Sequence, residues 1–552
     1  MRLCLVSPLC SSFAVLYPGL SNFNGSIRNN SENKKDCLPQ KDKKKVGTQT
    51  RKTNTVRRRL LAAAAGSALL ALTGCASQAV MTQTDQAAVG ESWTWQQALP
   101  EGVRMVPTAE VNRNWWREWQ NPELTGLIDA ALAKNTDIKS ALANLRSAAA
   151  SADDATASLF PTLDLSGSGS ASRVMGEAST TRWGAQGEGA WSMSLAGGNI
   201  AARRAALYEA AASLLSLEDV RITVAGEVAQ NYIGHALACV KYAVAAQMLK
   251  NYSEAAQIAQ WRFNAGLADQ AELDQAMSNR EASSASLAMM RQSITQYKNA
   301  LARLTVTNVM QLKLTEPDAV PSAPAAFAVA VPAQTLSQRP DMRAAELTVA
   351  AASDRVYEAR SQWFPALTIS GNLGTQAATI ATLGASGTGI AALAGALSMP
   401  LLNWGKQVTA SEQALAQLDQ ARASYTATLV TALEETENAL TMISTAETRK
   451  KPLQRALSYA ESAADLTMQQ YKAGLVDYQN VLTTQRTLLS ALESTATNDA
   501  DLATGLVMLY RALGGGWEPA DEVRAMLTDI EKRAAEEAAA DKRIQEKAGI
   551  NK

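Results

Sequence analysis

The sequence predicts a mainly α-helical chain with a transmembrane β-barrel portion, and three patterns support this fold class. Long segments without proline have the apolar spacing of helices, and four shorter segments alternate apolar with polar residues. A short apolar run behind a basic stretch near the amino terminus is typical of an export signal. At ~1.5 Å per residue, a helix of about 50 residues reaches ~75 Å. A compact globular domain does not need such helices, whereas a membrane-anchored tube does.

The charge of the chain is unevenly distributed. The 552 residues contain 52 Lys and Arg and 52 Asp and Glu, so the formal net charge is zero. Residues 1–74 hold 13 of the basic and 3 of the acidic side chains, which leaves 39 against 49, a net charge of −10, for residues 75–552. An acidic mature chain without a basic cluster argues against nucleic acid as a partner.

The amino-terminal apolar run has the parts of a bacterial lipoprotein signal. Arg57–Arg59 precede the apolar residues Leu60–Leu72, and Leu-Thr-Gly leads to Cys75. The run is shorter than the ~20 residues that span a bilayer, and its LTGC ending resembles the lipobox, in which the cysteine is lipidated. We therefore expect a signal peptide at residues 56–74 and a lipid on Cys75. Because an Asp after that cysteine commonly retains lipoproteins at the inner membrane, Ala76 fits a chain anchored at the bacterial outer membrane that extends into the periplasm. Residues 1–55 are interpreted as a non-native upstream extension. The alternative for the run is a buried helix of a cytosolic protein.

Two similar segments mark changes from helix to strand. FPTLDLSG at residues 160–167 and FPALTISG at residues 364–371 share five of eight positions. An Ala-rich segment with helical spacing precedes each, and Pro161 and Pro365 end these helices because proline lacks an amide N–H and its ring clashes with the preceding turn. After each proline the apolar period becomes two. The pattern predicts strands at about residues 162–172, 182–195, 366–376 and 389–402.

A second pair of matching segments lies at two predicted helix elbows. RFNAGLAD at residues 262–269 and QYKAGLVD at residues 470–477 share Ala-Gly-Leu and Asp. Behind each elbow, a spacing of four and three residues is sustained along a long helix, which is typical of coiled-coil packing. The matches predict two internal repeats. We expect a lipidated amino-terminal segment and belt at residues 75–120, the first repeat at 121–335, the second at 336–516 and a charged tail at 517–552.

Two tryptophans bracket the second strand. Trp183 and Trp191 lie eight residues apart on the apolar side of the alternation, so ~27 Å separates them at ~3.3 Å per residue. A tilt of ~45° reduces the separation along the membrane normal to ~19 Å, close to the ~25 Å apolar band between the aromatic girdles of outer-membrane barrels. Two exposed tryptophans on a soluble β-sandwich would explain the strands equally well. The lipoprotein signal favours the membrane, so both residues are expected at its interfaces.

With these motifs the chain resembles the TolC-type outer membrane factors, in the efflux lipoprotein branch called the NodT family. The resemblance covers about residues 75–516. It depends on the lipobox, on the order and duplication of the FP segments and AGL elbows, and on Trp115, Trp116 and Trp119 ahead of Asn-Pro-Glu-Leu. It implies a homotrimer in which four strands from each protomer close a 12-stranded β-barrel, and the long helices continue it as a coiled-coil α-barrel. Four strands alone leave open edges, which lipid does not tolerate.

The resemblance also implies a function, that of the outer-membrane exit duct of a tripartite efflux system. Such a duct is a passive channel for small molecules, which it receives from a periplasmic adaptor and an inner-membrane pump, here expected to be of the RND type. In the family the periplasmic entrance is an iris of helix hairpins near the elbows. The entrance candidates that match it are Asp269, Asp274, Gln275, Tyr471, Asp477, Asn480 and Thr483.

Thr483 departs from the family, in which an acidic residue at this position often forms a ring. Asp269, Asp274 and Asp477 are the nearby substitutes, and a narrow acidic mouth concentrates cations. The alternative is that these carboxylates are ordinary solvated residues at helix ends.

No pattern in the sequence points to an enzyme. The one histidine, His235, lies in a helical segment, so a histidine-based triad or a histidine cluster for a metal cannot form within the chain. The glycine clusters fit no nucleotide-binding motif. We expect no catalytic residues, no metal and no cofactor. The alternative function is a periplasmic coiled-coil adaptor or structural lipoprotein, which would not need four amphipathic strands.

Overall fold

The computed structural model describes residues 103–106, 114–173, 175–176, 178–322, 327–330 and 339–515. The helices are α1 (Pro122–Lys134), α2 (Thr136–Ala157), α3 (Gly198–Asn264), α4 (Gln270–Leu304), α5 (Pro340–Ser361), α6 (Lys406–Lys472) and α7 (Tyr478–Ala512). The strands are β1 (Val103–Val106), β2 (Thr162–Ser172), β3 (Thr180–Ser194), β4 (Phe327–Ala330), β5 (Ala366–Ala377) and β6 (Gly389–Ser398). The predicted upstream extension, signal peptide, Cys75 and charged tail lie outside the described residues.

A proline stands at each change from helix to strand. Helix α2 ends at Ala157 and β2 begins directly after Pro161, while α5 ends at Ser361 and β5 begins directly after Pro365. In each case a tight turn follows the helix, since the amide of Phe160 donates to the Ala157 carbonyl and the amide of Phe364 donates to the Ser361 carbonyl. The proline then cannot return to the helix because it has no N–H to donate.

Strands β2, β3, β5 and β6 form one antiparallel sheet in that order. The register places Leu163 opposite Gly189 and Trp191 opposite Ile369, so the apolar residues share one face and the polar residues share the other. Most leucines of the apolar face are exposed in the single chain, with Leu165 at 87%. Strands β2 and β6 each pair on one side only, so among the described residues the sheet has two open edges.

Two strand limits differ from the sequence prediction by more than one residue. Strand β3 begins at Thr180, two residues before the predicted start, because Thr180 pairs with Ser172 across the hairpin. Strand β6 ends at Ser398, where 402 was predicted. Pro400 has no amide to donate to a ladder, and the backbone then turns through the left-handed conformation at Trp404 and Gly405, with φ of 54° and 83°.

The long helices form two hairpins of equal dimensions. Helices α3 and α6 have 67 residues each, and α4 and α7 have 35 each. At ~1.5 Å per residue the longer helices reach ~100 Å. Both are longer than the roughly 50 residues expected from the sequence, since both continue to the AGL elbows. None of the helices in the described part of the chain has the length and apolar character needed to cross a membrane.

Each AGL elbow is a Schellman turn. Gly266 and Gly474 have φ of 71° and 73°, a conformation in which glycine has no steric cost. The amide of the following leucine donates back to the carbonyl of Arg262 in the first elbow, at 2.8 Å, and of Gln470 in the second, at 2.9 Å. This bond pattern defines the motif. The two Ala-Gly-Leu sequences therefore end their helices in the same way.

The main apolar core lies in a belt where helices of both hairpins meet. Trp115, from a short 3-10 helix at Trp115–Trp119, stacks on Tyr510 of α7 with ring centroids 5.2 Å apart. The Tyr510 hydroxyl donates to Glu118 at 2.9 Å. Side chains from α1, α3, α4, α6 and α7 complete this core, so the tryptophan motif holds the ends of several helices together.

Candidate functional site

The tips of the two hairpins pack against each other and form the candidate site. We call the elbows and the adjoining turns of α3, α4, α6 and α7 the hairpin tips. Small alanines on α3 allow the close approach of aromatic side chains from the other hairpin. The buried cluster consists of Ala255, Ala256, Ala259, Leu273, Ala276, Tyr471, Tyr478 and Val481.

A polar contact joins the hairpins at the edge of this cluster. The hydroxyl of Tyr471, whose side chain is fully buried, donates to Oε1 of Glu272 at 2.9 Å. Arg262 Nε lies 3.7 Å from the same carboxylate oxygen, and its guanidinium lies 5.0 Å from the centroid of the Tyr471 ring. We call Arg262, Glu272 and Tyr471 the tip latch. It connects α6 of the second hairpin to α3 and α4 of the first.

The protonation state of Tyr471 suits its role as the hydrogen-bond donor of the latch. Burial, together with the Glu272 carboxylate that it faces, raises the pKa of Tyr471 above its ordinary value. The phenol therefore stays protonated and remains a donor at physiological pH. A hydrogen bond from a neutral donor to a carboxylate is stronger than one between two neutral groups, and the guanidinium adds a cation–π contact to the ring.

Further contacts between the hairpins surround the latch. Asn251 of α3 donates to the buried Gln485 of α7 at 3.1 Å. Lys472 and Glu254 form an ion pair at 2.6 Å, with about half of each side chain exposed. Because exposed pairs are worth only ~0–1 kcal/mol, the buried tyrosine contact contributes more to holding the tips together.

Most of the predicted entrance residues are exposed around this cluster, and only Tyr471 is buried. Asp269 caps the amino-terminal end of α4, where its side chain accepts a hydrogen bond from the Glu272 amide at 2.8 Å. Asp274 accepts from the Gln270 side chain, also at 2.8 Å. The remaining four predicted residues lie on exposed surfaces of the tips; these are Gln275, Asp477, Asn480 and Thr483.

Sequence reasoning missed two of the three latch residues, Glu272 and Arg262. Asp269-Gln-Ala-Glu272 has the Asp-x-x-Glu pattern of a capping box, which marks the start of a helix. That pattern explains Glu272 by a role at the start of its own helix. In the structure, however, its carboxylate accepts a hydrogen bond from Tyr471, which lies 199 positions further along the chain. No local signal indicates this pairing.

A second polar cluster lies in the belt, around a cavity of about 370 Å³. Arg339 donates to both carboxylate oxygens of Asp341, to Glu435 at 3.0 Å and to the carbonyl of Ala512. Asp219 of α3 also lines the cavity. Burial and the neighbouring carboxylates Asp341 and Glu435 raise the pKa of Asp219 to about 6, against the opposing effect of two arginines. Asp219 therefore changes charge near neutral pH.

The two predicted interface tryptophans have different environments. Trp183 is 39% exposed. Trp191 is half-buried, and its indole N–H donates to the Leu159 carbonyl at 3.0 Å, next to the first helix-to-strand change. Their place at the membrane interfaces stays a prediction. Within the described residues, no group of three or more His, Cys, Asp or Glu side chains could hold a metal ion.

Comparisons with known proteins relate this architecture to one family. A family model described as "Outer membrane efflux protein" matches residues 127–306 and 331–515. The pyoverdine export outer membrane protein OpmQ of Pseudomonas putida is 28% identical over 444 residues, which cover 77% of this chain and 92% of the relative. The toluene efflux pump outer membrane protein TtgC, also of P. putida, is 26% identical over 453 residues, which cover 79% and 91%. Among solved structures, the outer-membrane channel OprN matches with a TM-score of 0.69 at 26% identity, over 78% of this chain and 100% of that chain.

Proposed function

The chain belongs to the outer membrane efflux protein family, and on this premise we propose how its copies assemble and how the periplasmic end is closed. The chain is an outer membrane channel, the exit duct of an efflux system. Its mature part resides in the outer membrane and extends into the periplasm. No catalytic role is proposed, because the family consists of channels.

Three copies of the chain form the duct. The four-stranded sheet of one protomer has two open edges, and unpaired backbone groups cost several kcal/mol each in lipid. Pairing β6 of one copy with β2 of the next removes every edge when three copies close a 12-stranded barrel. The exposed leucines of the sheet then face lipid, and its serines face the lumen. The long hairpins of the three copies continue the tube as a coiled-coil α-barrel.

Each protomer contains two repeats of the same unit, as supported by the equal lengths of their helices. The order helix, proline, two strands, 67-residue helix, elbow and 35-residue helix occurs twice, from α2 to α4 and from α5 to α7. We place the first repeat at residues 121–335 and the second at 336–516. Residues 75–120 contribute to the belt, and Cys75 carries the lipid anchor.

The duct receives its cargo from other proteins. Relatives of the chain are outer membrane components of efflux pumps, so we assign an inner-membrane pump, of the RND type, and a periplasmic adaptor as partners. The cargo named for relatives of similar identity ranges from pyoverdine to toluene. The cargo of this duct is therefore assigned only as small molecules, which move passively through it.

The tip latch keeps the periplasmic end closed, and the Tyr471–Glu272 hydrogen bond is the observation on which this proposal depends. Separating the hairpin tips requires that this bond break and that the buried cluster around Tyr471 open. Partner proteins open the duct by binding its open form more tightly than its closed form. The duct itself needs no source of energy.

The acidic side chains near the elbows set the ion preference of the entrance. Asp274 and Asp477 are exposed at the tips, and three copies bring six carboxylates to a narrow opening, where they attract cations. Thr483, which is uncharged, does not contribute. Trp183 and Trp191 lie at the two membrane interfaces.

Planar-bilayer recording of the purified protein tests this function. We expect ion-conducting channels and, under a KCl gradient, a reversal potential that indicates cation preference. The double variant Asp274→Asn/Asp477→Asn should reduce that preference, whereas Asp153→Asn, at an exposed position of α2, should not. A protein that never conducts would favour the adaptor or structural lipoprotein. If the double variant conducts with unchanged ion selectivity, the proposed channel function stands, but the proposal that Asp274 and Asp477 set the ion preference is wrong.

A further inference from the structure

Pro452 interrupts the backbone bonding of a long helix. It lies inside α6, 46 residues after the helix begins and 20 before it ends. Its nitrogen has no hydrogen to donate to the carbonyl four residues earlier, at Thr448, and its ring crowds the preceding turn. Helix α3, which has the same length of 67 residues, contains no proline. The interruption therefore belongs to the second hairpin only.

The helix is also loosely packed around Pro452. Between the buried Ala446 and Ala460, none of residues 447–459 is buried within the protomer. In this stretch the facing helix α7 packs Leu488, Leu489 and Leu492 against a buried cluster that includes Met248 of α3, whereas α6 contributes no buried side chain. In α3, residues 239–251 occupy the corresponding place in the first hairpin and include three buried side chains, those of Cys239, Ala245 and Met248. Side-chain packing within the protomer is therefore sparser around Pro452 than at the corresponding place in α3, and a backbone bond is missing there as well.

Firmly packed regions lie on both sides of this stretch. Above it, the Asn498 side chain donates to the Ala446 carbonyl at 3.0 Å in a buried contact, and Ile443 packs against Gly505, which ties α6 to α7 in the belt. Below it, Tyr471 belongs to the buried cluster of the hairpin tips. A weak segment between two rigid ones has the arrangement of a hinge.

We propose that residues 447–459, centred on Pro452, form a hinge that lets the lower part of the second hairpin swing away from the first when the tip latch opens. This inference rests on the proposed function, because the hinge would allow the periplasmic entrance of the duct to open. The 20 residues from Pro452 to Lys472 form a lever of ~30 Å. Sharp helix kinks, which usually occur at proline, exceed ~20°. A bend of ~20° at Pro452 moves the far end of this lever by ~10 Å. That displacement separates Tyr471 from Glu272 while α6 above Ala446 stays in the belt.

The hinge makes different predictions from the latch. Tyr471→Phe removes the latch bond and should raise the open probability in planar bilayers. Adding Pro452→Ala restores the missing helical hydrogen bond, so the double variant should open less often than Tyr471→Phe by roughly fivefold, the factor that corresponds to one recovered backbone bond. Arg455→Ala, an alanine substitution one turn away at an exposed position, should leave the open probability of Tyr471→Phe unchanged.

Amide hydrogen exchange gives an independent measurement on the closed protein. Residues 449–456 should exchange faster than residues 241–248 of α3, and Pro452→Ala should slow the exchange of the first segment by roughly fivefold without altering the second. If Tyr471→Phe opens the duct and Pro452→Ala has no effect on it, the hinge is wrong and the latch stands. If Tyr471→Phe does not open the duct, the latch is wrong. In that case amide hydrogen exchange tests the hinge alone. Fast exchange of residues 449–456 that Pro452→Ala slows would support the hinge, and any other result would contradict it.

Discussion

Removing one oxygen atom from the tip latch should open the duct. Tyr471→Phe deletes the hydroxyl that donates to Glu272 at 2.9 Å and keeps the ring that fills the buried cluster. The packing of the tips is therefore preserved, and the change reports on the polar contact alone. We expect the variant to fold and assemble like the parent protein and to spend more time open.

The structure sets the size of the effect. A hydrogen bond to a charged group contributes ~1.5–3 kcal/mol, and 1.4 kcal/mol corresponds to a factor of ten in an equilibrium constant. The ratio of open to closed tips should therefore rise roughly ten- to a hundredfold for each protomer. Because Glu272 is partly solvated, at 19% side-chain exposure, the lower end of this range is the expected value.

Single-channel recording in planar bilayers measures this ratio as the open probability. Tyr459→Phe is the matched control, since it deletes the same atom from a tyrosine of the same helix that is 74% exposed. Its open probability should equal that of the parent protein. Equal open probabilities for Tyr471→Phe and Tyr459→Phe would refute the reasoning, because the buried hydroxyl would then contribute nothing to closure.

Three further predictions concern the belt, the membrane sheet and the anchor. The pKa of Asp219 is raised from 3.8 to about 6 in the folded chain, so the folded state binds the carboxyl proton more tightly than the unfolded state does. The free energy of unfolding therefore falls by up to about 3 kcal/mol as pH rises from about 4 to about 7. Asp219→Asn should accordingly raise the unfolding temperature at pH 7.5, with a smaller difference at pH 4, and a difference independent of pH would contradict the assignment. Leu165→Arg should impair assembly in lipid vesicles by ~2–4 kcal/mol, whereas Ser166→Arg on the opposite face should be tolerated; equal effects would mean that the faces are misassigned. Cys75→Ser should abolish incorporation of radiolabelled palmitate while Cys239→Ser retains it, and a retained label in the first variant would exclude Cys75 as the lipid site.

The sequence predicts elements whose cause is local. Glycine in the AGL elbows indicates a left-handed helix end, and both Gly266 and Gly474 have that conformation. The change of apolar period after Pro161 and Pro365 indicates where strands begin, because proline ends a helix and alternation defines the two faces of a sheet. The limits of β3 and β6 were less accurate, since pairing across the hairpin and a left-handed turn at Trp404 decide them.

Contacts between elements that are distant in the sequence could not be predicted from local patterns. Tyr471 was identified through its place beside an elbow, yet its partner Glu272 lies in the other hairpin. The belt cluster likewise joins Asp219 of α3, Glu435 of α6 and Arg339, which directly precedes α5, around one cavity. Each of these charged residues, taken alone, is typical of a solvated helix surface. Only the packing of long helices against each other reveals that they interact.

The central claim is that three copies of the chain close one barrel, because the sheet of a single protomer leaves two edges open. The mass of the detergent-extracted protein, measured by multi-angle light scattering with the detergent contribution subtracted, tests it most directly. The account predicts a particle of three chains that persists on dilution. A particle of one chain would contradict it, since a lone four-stranded sheet cannot satisfy its edges in lipid.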